Sequence, residues 1–152
     1  MGVPDAPRAK QTFDTKSAEE TIARGREIGV SLKAPLLILL SGELGAGKTT
    51  LAKGIASGFG AAAEEEITSP TFTLIHRYNG AKVPVYHIDL YRIEGARDLD
   101  TLGLDDVFAE DAIVIIEWPD RMPPRHDWPI LRIALSHAGE DARHIEIDPP
   151  NL

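Results

Sequence analysis

Residues 42–49 read Gly42-Glu43-Leu44-Gly45-Ala46-Gly47-Lys48-Thr49, a complete G-x-x-x-x-G-K-[ST] pattern. Each fixed residue type has a mechanical task. The glycines let backbone N–H groups converge on phosphate oxygens with no Cβ in the way. Lys48 sets an ammonium against the β- and γ-phosphates, and the Thr49 hydroxyl can ligate Mg²⁺. Gly42, Glu43, Leu44, Gly45, Ala46, Gly47, Lys48, Thr49 and Thr50 are therefore the expected triphosphate site. The alternative is a glycine-rich turn with an incidental lysine, and the flanks argue against it. Leu36 to Leu40 is an apolar run suited to a buried parallel strand. Thr50 to Ala56 can begin a helix whose N-terminus faces the phosphates.

A loop of this kind needs a carboxylate at the end of a neighbouring strand, for Mg²⁺ or its water shell. Two runs qualify. Ile113-Val114-Ile115-Ile116-Glu117 has four apolar residues and then an acid; Val85-Tyr86-His87-Ile88-Asp89 also ends in one. Strand C-terminal ends form the ligand edge of open α/β sheets. Either acid alone reads equally as a cap on the next turn. Glu117 follows the purer apolar run and takes the metal role with Thr49. Asp89 is then expected to orient an attacking water or hold the metal's water shell. His87 lies two residues from Asp89, on the same face of a strand, which would support a hydrogen-bonded pair.

Other residues are open to two readings. Thr71, in Ser69-Pro70-Thr71, could reach the γ-phosphate and Mg²⁺ as a switch residue, or could belong to a strand-entry turn stiffened by Pro70. Trp118 directly follows Glu117 and could cover a nucleotide, anchor a partner or fill the core. Guanine-reading [NT]-K-x-D, transporter signatures and a long lid are absent from the sequence. No arginine stands out as a built-in finger; Arg92 is the best candidate because it lies close to Asp89. Such an ATPase is expected to be slow alone and to depend on another protein. A small-molecule or polynucleotide kinase, with Asp89 as base toward a hydroxyl, is the competing enzyme reading. A nucleotide-binding scaffold without turnover is a third.

The chain of 152 residues is 43% hydrophobic, carries a net charge of −8 and contains no cysteine. The length suits one domain with a real core. Disulfides and thiolate metal sites are excluded, and a cytoplasmic setting is expected. No apolar run is long enough to span a membrane, and no signal peptide is visible. An acidic chain without a Lys/Arg block is poorly suited to gripping a phosphate backbone by itself. Solubility alone would explain the charge equally well.

The elements that must position these residues follow from pattern. Residues 1–11 read as a flexible tail and 12–152 as a single domain. Ser17-Ala18-Glu19-Glu20 is a helix start with a capping-box Glu20; the helix should run to about Val30, with Ile22, Gly25, Ile28 and Gly29 on one face. The phosphate-loop helix should span Lys48 to about Gly58, with Gly58 and Gly60 marking its end. Thr71 to Tyr78 and Val83 to Leu90 read as strands joined by a hairpin at Asn79-Gly80. Residues 95–111 suggest short helices, and Ala112 to Ile116 a buried strand. Ile130 to Ser136 and Arg143 to Ile147 look like a final antiparallel pair. The predicted fold is α/β: a three-layer P-loop domain with a mixed, mostly parallel central sheet and hairpin extensions.

Four blocks now stand in order: Gly42 to Thr50, Thr68-Ser69-Pro70-Thr71-Phe72-Thr73-Leu74, His87-Ile88-Asp89-Leu90-Tyr91-Arg92 and Ile116-Glu117-Trp118-Pro119. In order and spacing they resemble TsaE (YjeE), a family of small bacterial ATPases of tRNA threonylcarbamoyladenosine synthesis. The resemblance runs from about residue 12 to the C-terminal hairpin. It implies ATP binding and hydrolysis with Mg²⁺, in company with the TsaD–TsaB pair that performs the transfer; tRNA would be met only through those partners. By motif position, Lys48 and Thr49 take the phosphate and metal roles, Glu117 the second metal-ligand role, and Asp89 a role needed for hydrolysis. Trp118 stands where the family has its motif tryptophan. Thr71, Tyr91, Arg92 and Trp118 are the expected switch or partner contacts. Gly139-Glu140-Asp141-Ala142-Arg143 carries acids where the resemblance leads one to expect a more basic turn, so Arg143 is not counted in the site.

Overall fold

The structure, a computed structural model, describes residues 10–43, 45–63, 74–125 and 127–150. Two residues of the expected site, Leu44 and Thr71, lie outside the described residues, as does the Thr68-Ser69-Pro70 turn. Among the described residues, seven strands form one sheet: β1 (Gln11–Thr15), β2 (Leu36–Ser41), β3 (Ile75–Tyr78), β4 (Val85–Asp89), β5 (Ile113–Glu117), β6 (Ile130–His137) and β7 (Arg143–Asp148). Their order across the sheet is β1-β7-β6-β2-β5-β4-β3. β6, β2, β5 and β4 are mutually parallel; β7 and β3 run against them. This is the expected mixed, mostly parallel α/β sheet. β2 lies between β5 and β6, so the chain leaves it on one side and returns on the other, the switch point at which α/β sheets bind ligands.

Alternation along the central strands divides the core into two layers. Leu36, Ile38 and Leu40 of β2, with Ile113 and Ile115 of β5, pack against α1 (Ala18–Val30) and α2 (Lys48–Phe59). Leu37, Val114, Ile116, Tyr86 and Ile88 face the other way, toward α3 (Ala96–Asp100) and α4 (Leu104–Val107). Each fully buried Leu or Ile contributes roughly 1.5–3 kcal/mol, so β2 and β5 form a stiff platform for whatever follows them. Parity then sets direction: His87, Asp89 and Glu117 continue the Val85, Ile113 and Ile115 series and point to the α2 side.

α1 begins at Ser17, whose hydroxyl accepts from Glu20 N at 3.2 Å. It crosses α2 backbone against backbone. A Cβ at Gly54 would lie 2.3 Å from the Ile22 carbonyl oxygen, and one at Gly25 would lie 2.6 Å from that of Leu51. α2 ends at Gly60 in the left-handed conformation. Among the described residues no helix is long and apolar enough to cross a membrane.

Two elements differ from expectation. The β3–β4 connection is not a tight turn at Asn79-Gly80, because Tyr78 pairs with Val85 and the link spans 79–84. Gly80 serves a long-range contact instead. Its N–H donates to Ala61 O at 2.8 Å, and a Cβ there would lie 2.4 Å from that oxygen. Gln11, grouped with the tail by sequence, opens the edge strand β1, which is paired along its length with β7.

Candidate functional site

The loop between β2 and α2 is built on three left-handed or near-left-handed glycines: Gly42 (φ 147°), Gly45 (φ 80°) and Gly47 (φ 97°). Residues with a Cβ rarely adopt these angles. At Gly42 a Cβ would also lie 2.4 Å from the Leu135 carbonyl oxygen. Ala46 is buried and donates its N–H to Glu43 O at 3.0 Å, which closes the loop. Gly47 caps α2 with no side-chain hydrogen bond. The first-turn N–H groups and the positive end of the helix dipole thus meet an incoming anion without competition from a capping side chain.

Lys48 is 5% exposed and arches back over the loop, donating to Gly42 O at 2.6 Å and Glu43 O at 2.9 Å. Burial lowers its pKa, opposed by the charges of Glu117 and Asp89. The ammonium lies 4.4 Å from the centre of the Trp118 ring, which itself lies 4.9 Å from the Tyr91 ring. Trp118 takes φ 61°, so the chain turns sharply straight after Glu117 and lays the indole across the lysine. The ring packs on the second core layer, as the core reading of Trp118 has it, and also lines the cavity.

Glu117 is 3% exposed at the end of β5. Its carboxylate accepts from Thr49 Oγ1 at 3.0 and 3.2 Å and lies 2.5 Å from His87 Nε2. The shared face of His87 and Asp89 does not pair them: His87 reaches across to the neighbouring strand. Asp89 lies opposite Glu117 in register but is only half-buried, and accepts from Tyr91 N at 3.0 Å. Burial raises its pKa above the usual carboxylate value, with the Tyr91 N–H acting the other way.

A cavity of about 280 Å³ opens over these groups. Gly45, Gly47, Lys48, Thr49 and Thr50 form one wall; Asp89, Tyr91, Glu117 and Trp118 form the other. Of the remaining expected residues, Gly42, Glu43 and Ala46 shape the loop beneath. Arg92 is exposed and does not line the cavity. The arginine that does is Arg143, which the sequence reading left out. It opens β7 and donates to Gly45 O at 3.2 Å, to Glu140 O at 3.0 Å and to Ala142 O at 2.7 Å. Its Nε is buried with no partner among the described residues. One signal could have found it. In an antiparallel hairpin the return strand begins at the edge where the outgoing strand ends, and β6 runs parallel to β2, so β7 begins beside the glycine loop. Beyond Gly47 and Thr50 a recess of about 40 Å³ continues toward Ala18, Thr21 and Asp141.

The residues present suit a magnesium–triphosphate group. Thr49 and Glu117 are hard oxygen donors already in contact. The space beside Gly45 is open, with nothing within 4 Å of where a Cβ would stand.

A buried strand, a glycine loop closed by Lys-Thr, a helix with an uncapped N-terminus and acids on the adjoining strand ends define a P-loop α/β protein. The chain belongs to the TsaE family: the family model described as "Threonylcarbamoyl adenosine biosynthesis protein TsaE" matches residues 15–145. The tRNA threonylcarbamoyladenosine biosynthesis protein TsaE of a Nostoc strain is 41% identical over 138 residues, covering 88% of this chain and 82% of the relative. Its Bacillus subtilis namesake is 37% identical, covering 86% and 80%. The crystal structure of Bacillus subtilis YdiB aligns with a TM-score of 0.70 at 32% identity, over 93% of this chain and 86% of that one. The chain is thus a member of a family of tRNA threonylcarbamoyladenosine biosynthesis.

Proposed function

We propose that this chain is a Mg²⁺-dependent ATPase that acts in tRNA threonylcarbamoyladenosine synthesis beside the TsaD–TsaB transferase pair. The observation that carries the reading is the convergence of Lys48, Thr49 and Glu117 at the N-terminus of α2. The first-turn amides of α2 and the Lys48 ammonium receive the phosphate oxygens. Thr49 Oγ1 and the Glu117 carboxylate would hold the metal, which would supply positive charge against the triphosphate. Asp89, half-exposed in the same cavity, accepts a hydrogen bond from the attacking water and orients it. Trp118 and Tyr91 close one side against solvent, and Arg143 borders the loop at Gly45.

The placement of the arginines supports dependence on a partner. Arg143 is tied to backbone carbonyls, and Arg92 lies outside the cavity. A second cation for the γ-phosphate, beside Lys48, is on this reading supplied by another protein. The net charge of −8 fits a reading in which the partners grip the tRNA, and a cytoplasmic location goes with that task. Steady-state ATP hydrolysis with and without TsaD–TsaB tests the reading. Stimulation by the pair is expected. Phosphate transfer to a hydroxyl acceptor, indifferent to those proteins, would replace it with the kinase reading.

A further inference from the structure

β4 is a core strand. Val85, Tyr86 and Ile88 are buried apolar or aromatic residues, and between them lies His87, 1% exposed. A buried polar group inside such a strand is costly unless it is hydrogen-bonded. The imidazole has one partner among the described residues: Nε2 meets Glu117 Oε2 at 2.5 Å, while Nδ1 is buried with none. Strand register makes this contact specific. Asp89, not His87, is paired across β5 with Glu117, but the Asp89 carboxylate turns away to the Tyr91 N–H. His87 is paired with Ile115 and must reach two residues forward along β5 to touch Glu117.

We infer that His87 is a positioning residue for Glu117: its Nε2–H holds Oε2, and Oε1 is left for the metal position. The inference rests on the ATPase reading above and goes one layer deeper into that site. Glu117 is almost wholly buried, and two neighbours grip its carboxylate. Thr49 sits within 3.2 Å of both oxygens and so does not fix the rotation of the group. His87 touches one oxygen only and does fix it. Outer partners that orient metal-binding side chains act in this way. An apolar side chain in place of His87 would fill the core as well and leave the carboxylate free to swing. With Nε2 as the donor, Nδ1 carries the lone pair, the less costly atom to leave without a partner in an apolar strand.

Three substitutions separate positioning from filling. In His87→Gln the amide nitrogen extends to about the place of Nε2. In His87→Asn it stops near the place of Nδ1 and cannot reach Glu117. His87→Leu keeps bulk without a donor. Mn²⁺ affinity is measured by electron paramagnetic resonance in the presence of a non-hydrolysable ATP analogue, and analogue affinity is measured separately in EDTA. Asn and Leu are expected to weaken Mn²⁺ binding by about 10- to 100-fold, with Gln close to the parent and metal-free nucleotide affinity unchanged in all three. Equal Mn²⁺ affinity in the Gln and Asn forms, or no loss in the Leu form, overturns the inference. The parent protein supplies a readout that no folding defect can disturb: the ¹⁵N signals of the His87 ring should report protonation at Nε2 and move when Mg²⁺ joins bound nucleotide. Immobile signals with demonstrable Mg²⁺ binding overturn the role of His87 alone. A parent protein that binds neither nucleotide nor metal overturns the ATPase reading and the inference with it.

Discussion

β4 and β5 lie side by side and parallel, with Asp89 paired opposite Glu117, and each strand ends in an acid on the α2 side of the sheet. From there the two ends diverge. Glu117 is 3% exposed and gripped by Thr49 and His87. Asp89 is half-buried, holds one backbone N–H and has its pKa raised by burial. The cause lies in the neighbours. β5 adjoins β2, so its end abuts the start of α2, whereas β4 is one strand further out, with β3 as the edge strand beyond it among the described residues. Two similar strand ends thus become a buried, firmly held carboxylate and a more open one whose pKa burial raises, and the distinction comes from position in the sheet rather than from residue type.

The comparison can be broken most severely at the residue the two acids share. Lys48→Ala removes the cation facing both, and ATP hydrolysis is expected to fall by about 1,000-fold or more; retained hydrolysis would dissolve the site. Glu117→Ala follows, with a loss of some 100- to 1,000-fold in Mg²⁺-dependent turnover and weakened Mn²⁺ binding. Unchanged turnover there would transfer the metal role to Asp89. Asp89→Asn is expected to cut kcat by about 100-fold while Mn²⁺ affinity stays at the parent level, a split that separates the two acids directly.

Smaller effects sharpen the contrast through pH. Asp89 must be ionised to accept from water, so turnover should decline as pH falls through its raised pKa. That acidic limb should disappear in Asp89→Asn. Stability should move the opposite way. Because the folded pKa lies above the unfolded value of about 3.8, the folded protein binds more protons between the two values. Stability therefore falls as pH rises through that window, and the penalty is complete above it. Asp89→Asn should accordingly melt slightly higher than the parent at pH 7. The gain should shrink as pH approaches 3.8, and an equal melting difference at both ends would contradict the burial of Asp89.

What was legible in the sequence was what local chemistry specifies. Gly42, Gly45 and Gly47 are needed because the loop takes backbone angles that other residues resist, so pattern and structure coincide there. The two-residue spacing of His87 and Asp89 told that they share a face of β4. β1 was not legible, because Gln11-Thr12-Phe13-Asp14-Thr15 has few apolar residues and becomes a strand only by pairing with β7 at the far end of the chain. Asn79-Gly80 misled for a related reason: the glycine answers to Ala61 in space rather than to a turn in sequence. Arg143 was passed over among acidic neighbours, although hairpin direction carries it to the loop.

The sequence by itself determined the glycine loop, the Lys48-Thr49 pair, the buried strands and the acids that end them, because periodicity and backbone conformation are properties of adjacent residues. Only the tertiary structure decided that His87 belongs to Glu117 rather than to Asp89, that Arg143 borders the phosphate loop and that the two acids differ in burial. Those facts depend on strand order and register, which residues distant in sequence settle together.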